Sequence, residues 1–302
     1  MPDPQDASWF EDTEQLDAML TDKRATDTRT VSSITDAEFV IEAFRDARTE
    51  TPWTGLDRGD VANRLVTLVN DPRSIQQGGL NLCGPAALIC IWAARDPLAF
   101  ASFATELYDA GAADIGSMSI APTDALLAQD FNETTDAAAT WGADWMVLSA
   151  IRNTDSPFWQ PEWVGDPAQE LAGLTRPEEL ADWLRATGLY RSVRDEGNWV
   201  SPAGIPHATD ISMFDGRDVA LLLHINLIRA ARHTALDDTF LIDQFPNHWV
   251  VGLNEISVDA QTGDVRLSLW TWGRGAGSTL DLLVPRQEFV DNYYGAVIAD
   301  LA

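Results

Sequence analysis

The stretch QQGGLNLCGPAALICIWAA, residues 76–94, predicts the helix around which the fold is built. Two adjacent glycines, Gly78 and Gly79, favour a loop in its first part. From Cys83 to Ala94 almost every residue is apolar, and such a run predicts a helix that is buried on all sides. Pro85 suits the first turn, where its missing N–H removes no hydrogen bond. Cys83 is therefore predicted at the N-terminus of a buried helix.

A cysteine in this position is a candidate nucleophile. The N-terminus of a helix carries partial positive charge and unpaired N–H groups, which favour thiolate over thiol and lower the pKa of the cysteine. Gly84, directly after it, allows a close approach of backbone. The Cys83 N–H is a candidate donor to an oxyanion. The side-chain amide of Gln77, six residues earlier in the loop, is a candidate second donor.

A nucleophilic thiol needs a base, and the chain has four histidines. His248 follows a loop and begins a predicted strand, so it is expected at a strand edge, facing the helix N-terminus across a cleft. His224 lies inside an apolar strand and is expected in the core, and His207 and His233 are expected at the surface. His248 is therefore the candidate general base.

Two short motifs that contain these residues resemble motifs of a known superfamily. Gln77, five intervening residues and Cys83-Gly84-Pro85-Ala86-Ala87, followed later by His248-Trp249-Val250-Val251-Gly252, resemble the papain-like cysteine peptidase superfamily (clan CA). The nearest branch has a glutamine six residues before a cysteine that is followed by Gly-Pro and alanine. Trp272-Gly273-Arg274-Gly275 is similar to a Trp-Gly-x-Gly segment of papain itself. The resemblance covers residues 77–94 and 248–275; residues 95–217 have no counterpart.

The resemblance implies roles for the matched residues. Cys83 is the implied nucleophile, His248 the general base and then acid, and Gln77 the oxyanion donor, with acyl transfer through a thioester. Trp272 corresponds to the tryptophan that shields the outer hydrogen bond of the histidine. The substrate cleft is predicted to be lined by Gly84, Asn247, Trp249, Trp270 and Trp272.

The sequence departs from the pattern at the third member of the site. The superfamily has Asn or Asp two residues before its tryptophan, and here that position is Trp270, whose indole N–H only donates hydrogen bonds. Three interpretations remain open: a Cys–His dyad, a different group that orients His248, or an inactive protein. Candidate substitutes are Asn247, Asn254 and Asp243, although strand spacing places Asn254 about 20 Å along the strand.

The order of the sequence patterns predicts an α+β fold of papain-like architecture. Residues 1–50 are predicted to form an acidic N-terminal segment, either an arm or packed helices, with one helical pattern from Trp9 to Leu20. Residues 51–302 are predicted to form the catalytic domain. Within that domain, residues 51–200 are predicted to be mainly helical, with an amphipathic helix at 59–70. Residues 201–302 are predicted to be rich in strands, with strands at 218–228 and 248–258 and a turn at 259–264. Helices first and strands later indicate a cysteine-bearing helical part packed on an antiparallel sheet that carries His248.

Composition excludes several classes of function. The formal net charge of −27, with 47 acidic and 20 basic residues, repels nucleic acid and anionic lipid surfaces. We find no metal-ligand spacing and no nucleotide-binding loop, so no cofactor or metal is predicted. Cys83 and Cys90 lie two helical turns, about 10 Å, apart and are not expected to form a disulfide. No apolar stretch of membrane-spanning length occurs, and no Sec signal peptide is evident at the start. We expect a cytoplasmic protein or one exported without such a signal.

The resulting hypothesis is a cysteine peptidase with a protein or peptide substrate. Transglutaminase, deamidase or isopeptidase chemistry uses the same Cys–His order and is an alternative, as is a papain-like module that binds a partner without catalysis. The composition suggests a bacterial protein. A bacterial effector or toxin, with an inhibitor or immunity partner, would suit such a hydrolase.

Overall fold

The computed structural model describes residues 33–138, 140–156, 160–169, 171–211, 216–231, 246–273 and 275–302. Helices dominate its first part. Helix α1 covers residues 33–46. The remaining helices are α2 (Arg58–Asn70), a 3-10 turn η1 (Pro72–Ser74), α3 (Cys83–Arg95), α4 (Pro97–Ala110), α5 (Asp124–Leu127), α6 (Phe131–Ala138), α7 (Gly142–Thr154), α8 (Pro177–Ala186), α9 (Gly204–Asp210), α10 (Asn226–Ala231) and α11 (Arg286–Asn292).

The strands form a small hairpin and a large sheet. The hairpin is β1 (Ala113–Ile115) and β2 (Met118–Ile120), and the sheet contains β3 (Tyr190–Asp195), β4 (Arg217–Leu223), β5 (His248–Gly252), β6 (Ser257–Val258), β7 (Val265–Gly273), β8 (Gly275–Val284) and β9 (Tyr293–Leu301). The sheet order is β3-β9-β4-β5-β7-β6, with β8 also paired to β7. All recorded strand pairs are antiparallel.

Helix α3 is the central helix of the first core. All its residues from Cys83 to Ala93 are buried, as the apolar run predicts. It contacts β5 on one side and α4, α7 and α8 on the others. A second apolar cluster, which includes Val250, Leu269 and Phe289, lies on the opposite face of the sheet. The sheet is therefore covered on both faces.

The α+β prediction is confirmed, and its details need correction in the sheet. The sheet begins with β3, inside the region predicted to be mainly helical. Strand β9 was not predicted; it is buried throughout except for its last residue, so its sequence lacks the alternation of a half-exposed strand. The predicted strand 218–228 ends at Leu223 and is followed by α10. The predicted strand 248–258 ends at Gly252, with Ser257–Val258 as a separate strand.

The N-terminal segment is described only from residue 33. Helix α1 packs on the first core through Ala37, Ile41 and Phe44, all of them buried, while Phe39 on its outer face is exposed. This part of the predicted acidic segment is a packed helix. The helical pattern predicted around Trp9 to Leu20 lies outside the described residues.

Candidate functional site

Cys83 is the first residue of α3, and its side chain contacts the start of β5. The sulfur lies 3.9 Å from the carbonyl oxygen of Asn247, to which the thiol donates. The backbone N–H of Trp249 also points to the sulfur, as do those of Gly84 and Cys83 itself. The sulfur therefore touches the main chain on both sides of His248. Cys83 and Cys90 are both free thiols, as predicted.

Burial controls the ionisation of Cys83. Loss of solvent raises the pKa of the thiol to about 11, and the backbone N–H groups of Trp249, Gly84 and Cys83 only partly oppose that rise. The prediction of a lowered pKa is wrong for this conformation. The helix N-terminus acts over a short range, whereas the side chain is almost completely removed from water, with 2% of its surface exposed.

His248 is the first residue of β5, as predicted, and β5 runs between β4 and β7 in the sheet. Its Nε2 lies 2.7 Å from Oγ1 of Thr271 on β7. Burial lowers the pKa of the imidazole to about 4. At neutral pH both the thiol and the imidazole are therefore uncharged in this structure.

Successive side chains of β5 and β7 lie on opposite faces of the sheet at this point. Trp249 and Trp270 belong to the core cluster that contains α3, whereas Val250 and Leu269 belong to the cluster on the other face. Alternate residues of a strand point to opposite faces. Thr271 thus leaves β7 on the Leu269 face, and His248, which bonds it, leaves β5 on the Val250 face. Sequence analysis considered Trp270 and missed Thr271, because the orienting residue was sought at a fixed spacing before Trp272.

Of the three predicted substitutes for the orienting residue, the two in the described residues, Asn247 and Asn254, bond to groups other than His248. Asn247 accepts from the N–H of Ile225 at 3.0 Å and lies 3.5 Å from Nε2 of His224. Asn254 donates to Ser268. Asp243 lies outside the described residues, as does His233. His224 is buried and accepts from the N–H of Asn226, which confirms it as a core histidine.

Gln77 lies in the loop between η1 and α3, and 9% of its surface is exposed. Its side-chain oxygen is buried and has no hydrogen-bond partner in the described part of the chain. The neighbouring Gln76 anchors this loop. Its N–H donates to Asp144 at 2.8 Å, and its carbonyl accepts from Thr140 at 2.6 Å. Gln77 thus follows a residue held by two hydrogen bonds, and its side-chain oxygen lacks a partner in the described part of the chain.

The predicted cleft requires a correction. A Cβ at Gly84 would lie 2.3 Å from Oγ1 of Thr175, so glycine is needed for the packing of Thr175 against α3. Trp249 donates its indole N–H to the Thr175 carbonyl, and Trp270 donates to the Arg73 carbonyl. Both indoles are 1% exposed. Gly84, Trp249 and Trp270 are core residues here and do not line an open cleft; the Trp272 side chain lies outside the description.

Two cavities accompany the site, and neither of them is lined by Cys83 or His248. The larger, about 760 Å³, lies between α2 and the N-terminal end of α7 and is bordered by Gln76 and the exposed Trp141. The smaller, about 630 Å³, lies between the C-terminal half of α3 and the end of β5. In this conformation the Cys83 thiol is covered.

No group of three or more His, Cys, Asp or Glu side chains in the described ranges is arranged to hold a metal ion. Across the same ranges, no helix has the length and apolar character needed to cross a membrane. Comparisons with protein-family models, with curated proteins and with solved structures found no match to this chain. The fold and site define an α+β protein in which a helix-terminal cysteine meets the start of a histidine-bearing strand.

Proposed function

We propose that this protein is a papain-like thiol hydrolase that cleaves a peptide bond of a specific protein or peptide. One observation carries the proposal: the Cys83 sulfur, at the N-terminus of α3, contacts the main chain on both sides of His248. The main chain of His248 therefore lies beside the sulfur, and a nucleophile and a base carried by neighbouring segments are the minimum that acyl transfer through a thioester requires. The short sequence motifs around the two residues support the same class.

Thr271 takes the place of the missing third member in this proposal. When Nε2 of His248 carries the proton, its N–H donates to Oγ1 of Thr271, 2.7 Å away, and this bond holds the tautomer in which Nδ1 is the acceptor. We assign the thiol proton to Nδ1. Because His248 leaves β5 on the Val250 face, away from α3, this transfer requires the imidazole to turn toward Cys83 when the site opens. A hydroxyl fixes the ring less strongly than a carboxylate and does not stabilise the imidazolium by charge.

The ionisation of the pair defines when proton transfer occurs. The pKa of Cys83 is about 11 and that of His248 about 4. Because the pKa of the thiol lies well above that of the imidazole, a preformed thiolate–imidazolium pair is unfavourable in this conformation. Opening of the site to water reduces both shifts, since burial causes both. The proton therefore leaves the thiol only when substrate entry opens the site and the S–C bond forms.

The proposed reaction is conventional after that step. His248 accepts the thiol proton as the sulfur attacks the carbonyl carbon, and the Cys83 N–H and the Gln77 amide donate to the oxyanion. The imidazolium then protonates the leaving amine, and a thioester forms. Water, deprotonated by His248, hydrolyses the thioester and restores the thiol. Replacement of water by an amine gives the transglutaminase alternative at the same residues. Hydrolysis by water of a side-chain amide or of an isopeptide bond gives the deamidase or isopeptidase alternative.

A second candidate, a binding module without catalysis, is favoured by one observation. Cys83 and His248 are both buried and uncharged, and neither borders the two cavities described above. A partner protein, such as an inhibitor or immunity protein, would then bind elsewhere on the surface. A role as a bacterial effector belongs to the first candidate and rests on its hydrolase chemistry.

Alkylation of Cys83 distinguishes the two candidates. Under the hydrolase proposal, iodoacetamide labelling of Cys83 at pH 7 falls on the order of 100-fold in His248→Gln, because general-base assistance is lost. Cys90→Ala leaves the rate unchanged and serves as the matched control. The rate is measured across pH 4 to 9 by mass spectrometry of the two cysteine peptides. If the labelling rate is the same in wild type and His248→Gln, and rises only as the pH approaches the pKa of the thiol, the hydrolase proposal is overturned and the binding module is supported.

The Thr271 hydroxyl is tested in the same assay. Thr271→Val keeps the side-chain shape but removes the bond to His248, and we expect the His248-dependent rate to fall roughly tenfold, the cost of one hydrogen bond. Thr271→Ser restores the rate, which a packing defect alone would not. Equal rates in Thr271→Val and wild type would show that another group orients the ring.

A further inference from the structure

The smaller cavity is formed by the ends of the elements that carry Cys83 and His248, away from those residues. Its walls come from η1, the C-terminal half of α3, the start of β4 and the end of β5. The volume, about 630 Å³, lies within the range of pockets that hold small organic ligands. Ile91, Val219 and Val251 give it an apolar wall.

The charges around this cavity are unusual for the chain. Three arginines, Arg73, Arg95 and Arg217, line it, against two aspartates, Asp71 and Asp218. The lining is thus net positive by one charge, in a protein whose formal net charge is −27. An arginine in this lining that pairs with no carboxylate can attract anions that the rest of the acidic surface repels.

Two of the three guanidinium groups have carboxylate partners. The Arg95 guanidinium donates two hydrogen bonds to the Asp218 carboxylate, at 2.9 and 2.8 Å. Arg217 bonds Asp300 at 2.6 Å. These pairs fix the two arginines in place and neutralise much of their charge.

Arg73 differs from the other two. Its side chain is exposed at the mouth of the cavity, and its guanidinium makes no hydrogen bond or ion pair within the described part of the chain. The backbone beneath it is held, since the Arg73 carbonyl accepts from the buried indole of Trp270 at 2.9 Å. An arginine with a fixed backbone and a guanidinium that bonds no other protein group can bind an oxyanion through two parallel hydrogen bonds.

We propose that this cavity binds a small organic anion, with its carboxylate or phosphate group on Arg73 and its apolar body against Ile91, Val219 and Val251. The site is separate from the proposed thiol hydrolase site and does not depend on it. The Asp71 carboxylate at the mouth opposes binding, so the affinity is expected to be moderate and to decrease with added salt.

The experiment uses the full chain and three probes that share a phenyl body: benzoate, phenyl phosphate and the neutral benzyl alcohol. Binding is measured by calorimetry at constant ionic strength, set with sodium chloride. We expect at least one of the two anions to bind and benzyl alcohol not to bind. Preference for benzoate or for phenyl phosphate identifies the charged group that the site takes.

Variants locate the site. Arg73→Ala is expected to weaken binding of the anion roughly tenfold, as expected for the loss of a hydrogen bond to a charged group. Arg191→Ala, which removes another exposed arginine on β3, is the matched control and leaves the affinity unchanged. Arg73→Lys keeps the charge but loses the fork, and we expect intermediate affinity. Absence of binding of both anions, or equal affinity in Arg73→Ala and wild type, overturns the proposal.

Discussion

Asp144→Ala is expected to lower the free energy of unfolding by about 3–5 kcal/mol, the cost of leaving one partner of a buried ion pair alone. Asp144 is fully buried in the first turn of α7. It holds Arg64 by two bonds of 2.8 Å and accepts from the N–H of Gln76. Its loss therefore leaves a guanidinium and a backbone donor in the interior without their main partner.

Asp144→Ala is also expected to alter the candidate site. Gln76 precedes Gln77 in the loop that leads to Cys83, so release of Gln76 loosens the proposed oxyanion donor. Urea unfolding at pH 7 measures the stability, and Cys83 labelling measures the site. Asp114→Ala, at an exposed aspartate on β1, is the control and should change the free energy of unfolding by less than about 0.5 kcal/mol. A similarly small loss in Asp144→Ala would contradict the role of this pair.

Acidification is expected to cost the folded state up to about 3 kcal/mol through His248 alone, a figure that follows from a pKa difference of about 2.5 units. The pKa is about 4 in the folded protein, against 6.5 for the ordinary side chain. The unfolded chain therefore takes up the proton first. The contribution is fully present above pH 6.5, is lost as pH falls from 6.5 to 4, and does not change further below pH 4.

The measurement is the difference between wild type and His248→Gln in urea unfolding at several pH values. Glutamine does not titrate, and its amide keeps a donor for Thr271. Carboxylates such as Asp300, whose pKa is lowered chiefly by its hydrogen bond with Arg217, titrate equally in both proteins and cancel in the difference. If both proteins lose stability with the same slope between pH 6.5 and 4, His248 is not buried in its neutral form in solution.

The local elements were well predicted where the periodicity was strong. Helix α2 was expected at residues 59–70 and begins at Arg58, and α3 was expected to begin at Cys83 and does. Apolar spacing and helix-start residues are local properties, so a single sequence carries them. The same is true of the turn at residues 259–264, which the sequence marks with Gly263 and the structure joins to β7.

The sheet was harder to predict from the sequence, because the order of its strands depends on contacts between residues that are distant in sequence. Strand β9 lies between β3 and β4, and its apolar run does not by itself distinguish a strand from a buried helix. Thr271 was missed for a related reason. Its distance to His248 depends on the register of β7 against β5, and a shift of one residue exchanges Trp270 for Thr271.

The sequence alone determined the fold class, the seating of Cys83 at the start of a buried helix, and the absence of a disulfide between Cys83 and Cys90. These follow from hydrophobic period and helix geometry, which act over a few residues. Only the tertiary structure decided the partner of His248, the burial of Trp249 and Trp270, and the pKa values of the thiol and imidazole. Those depend on which distant side chains exclude water from a site, and desolvation is a property of the packed molecule.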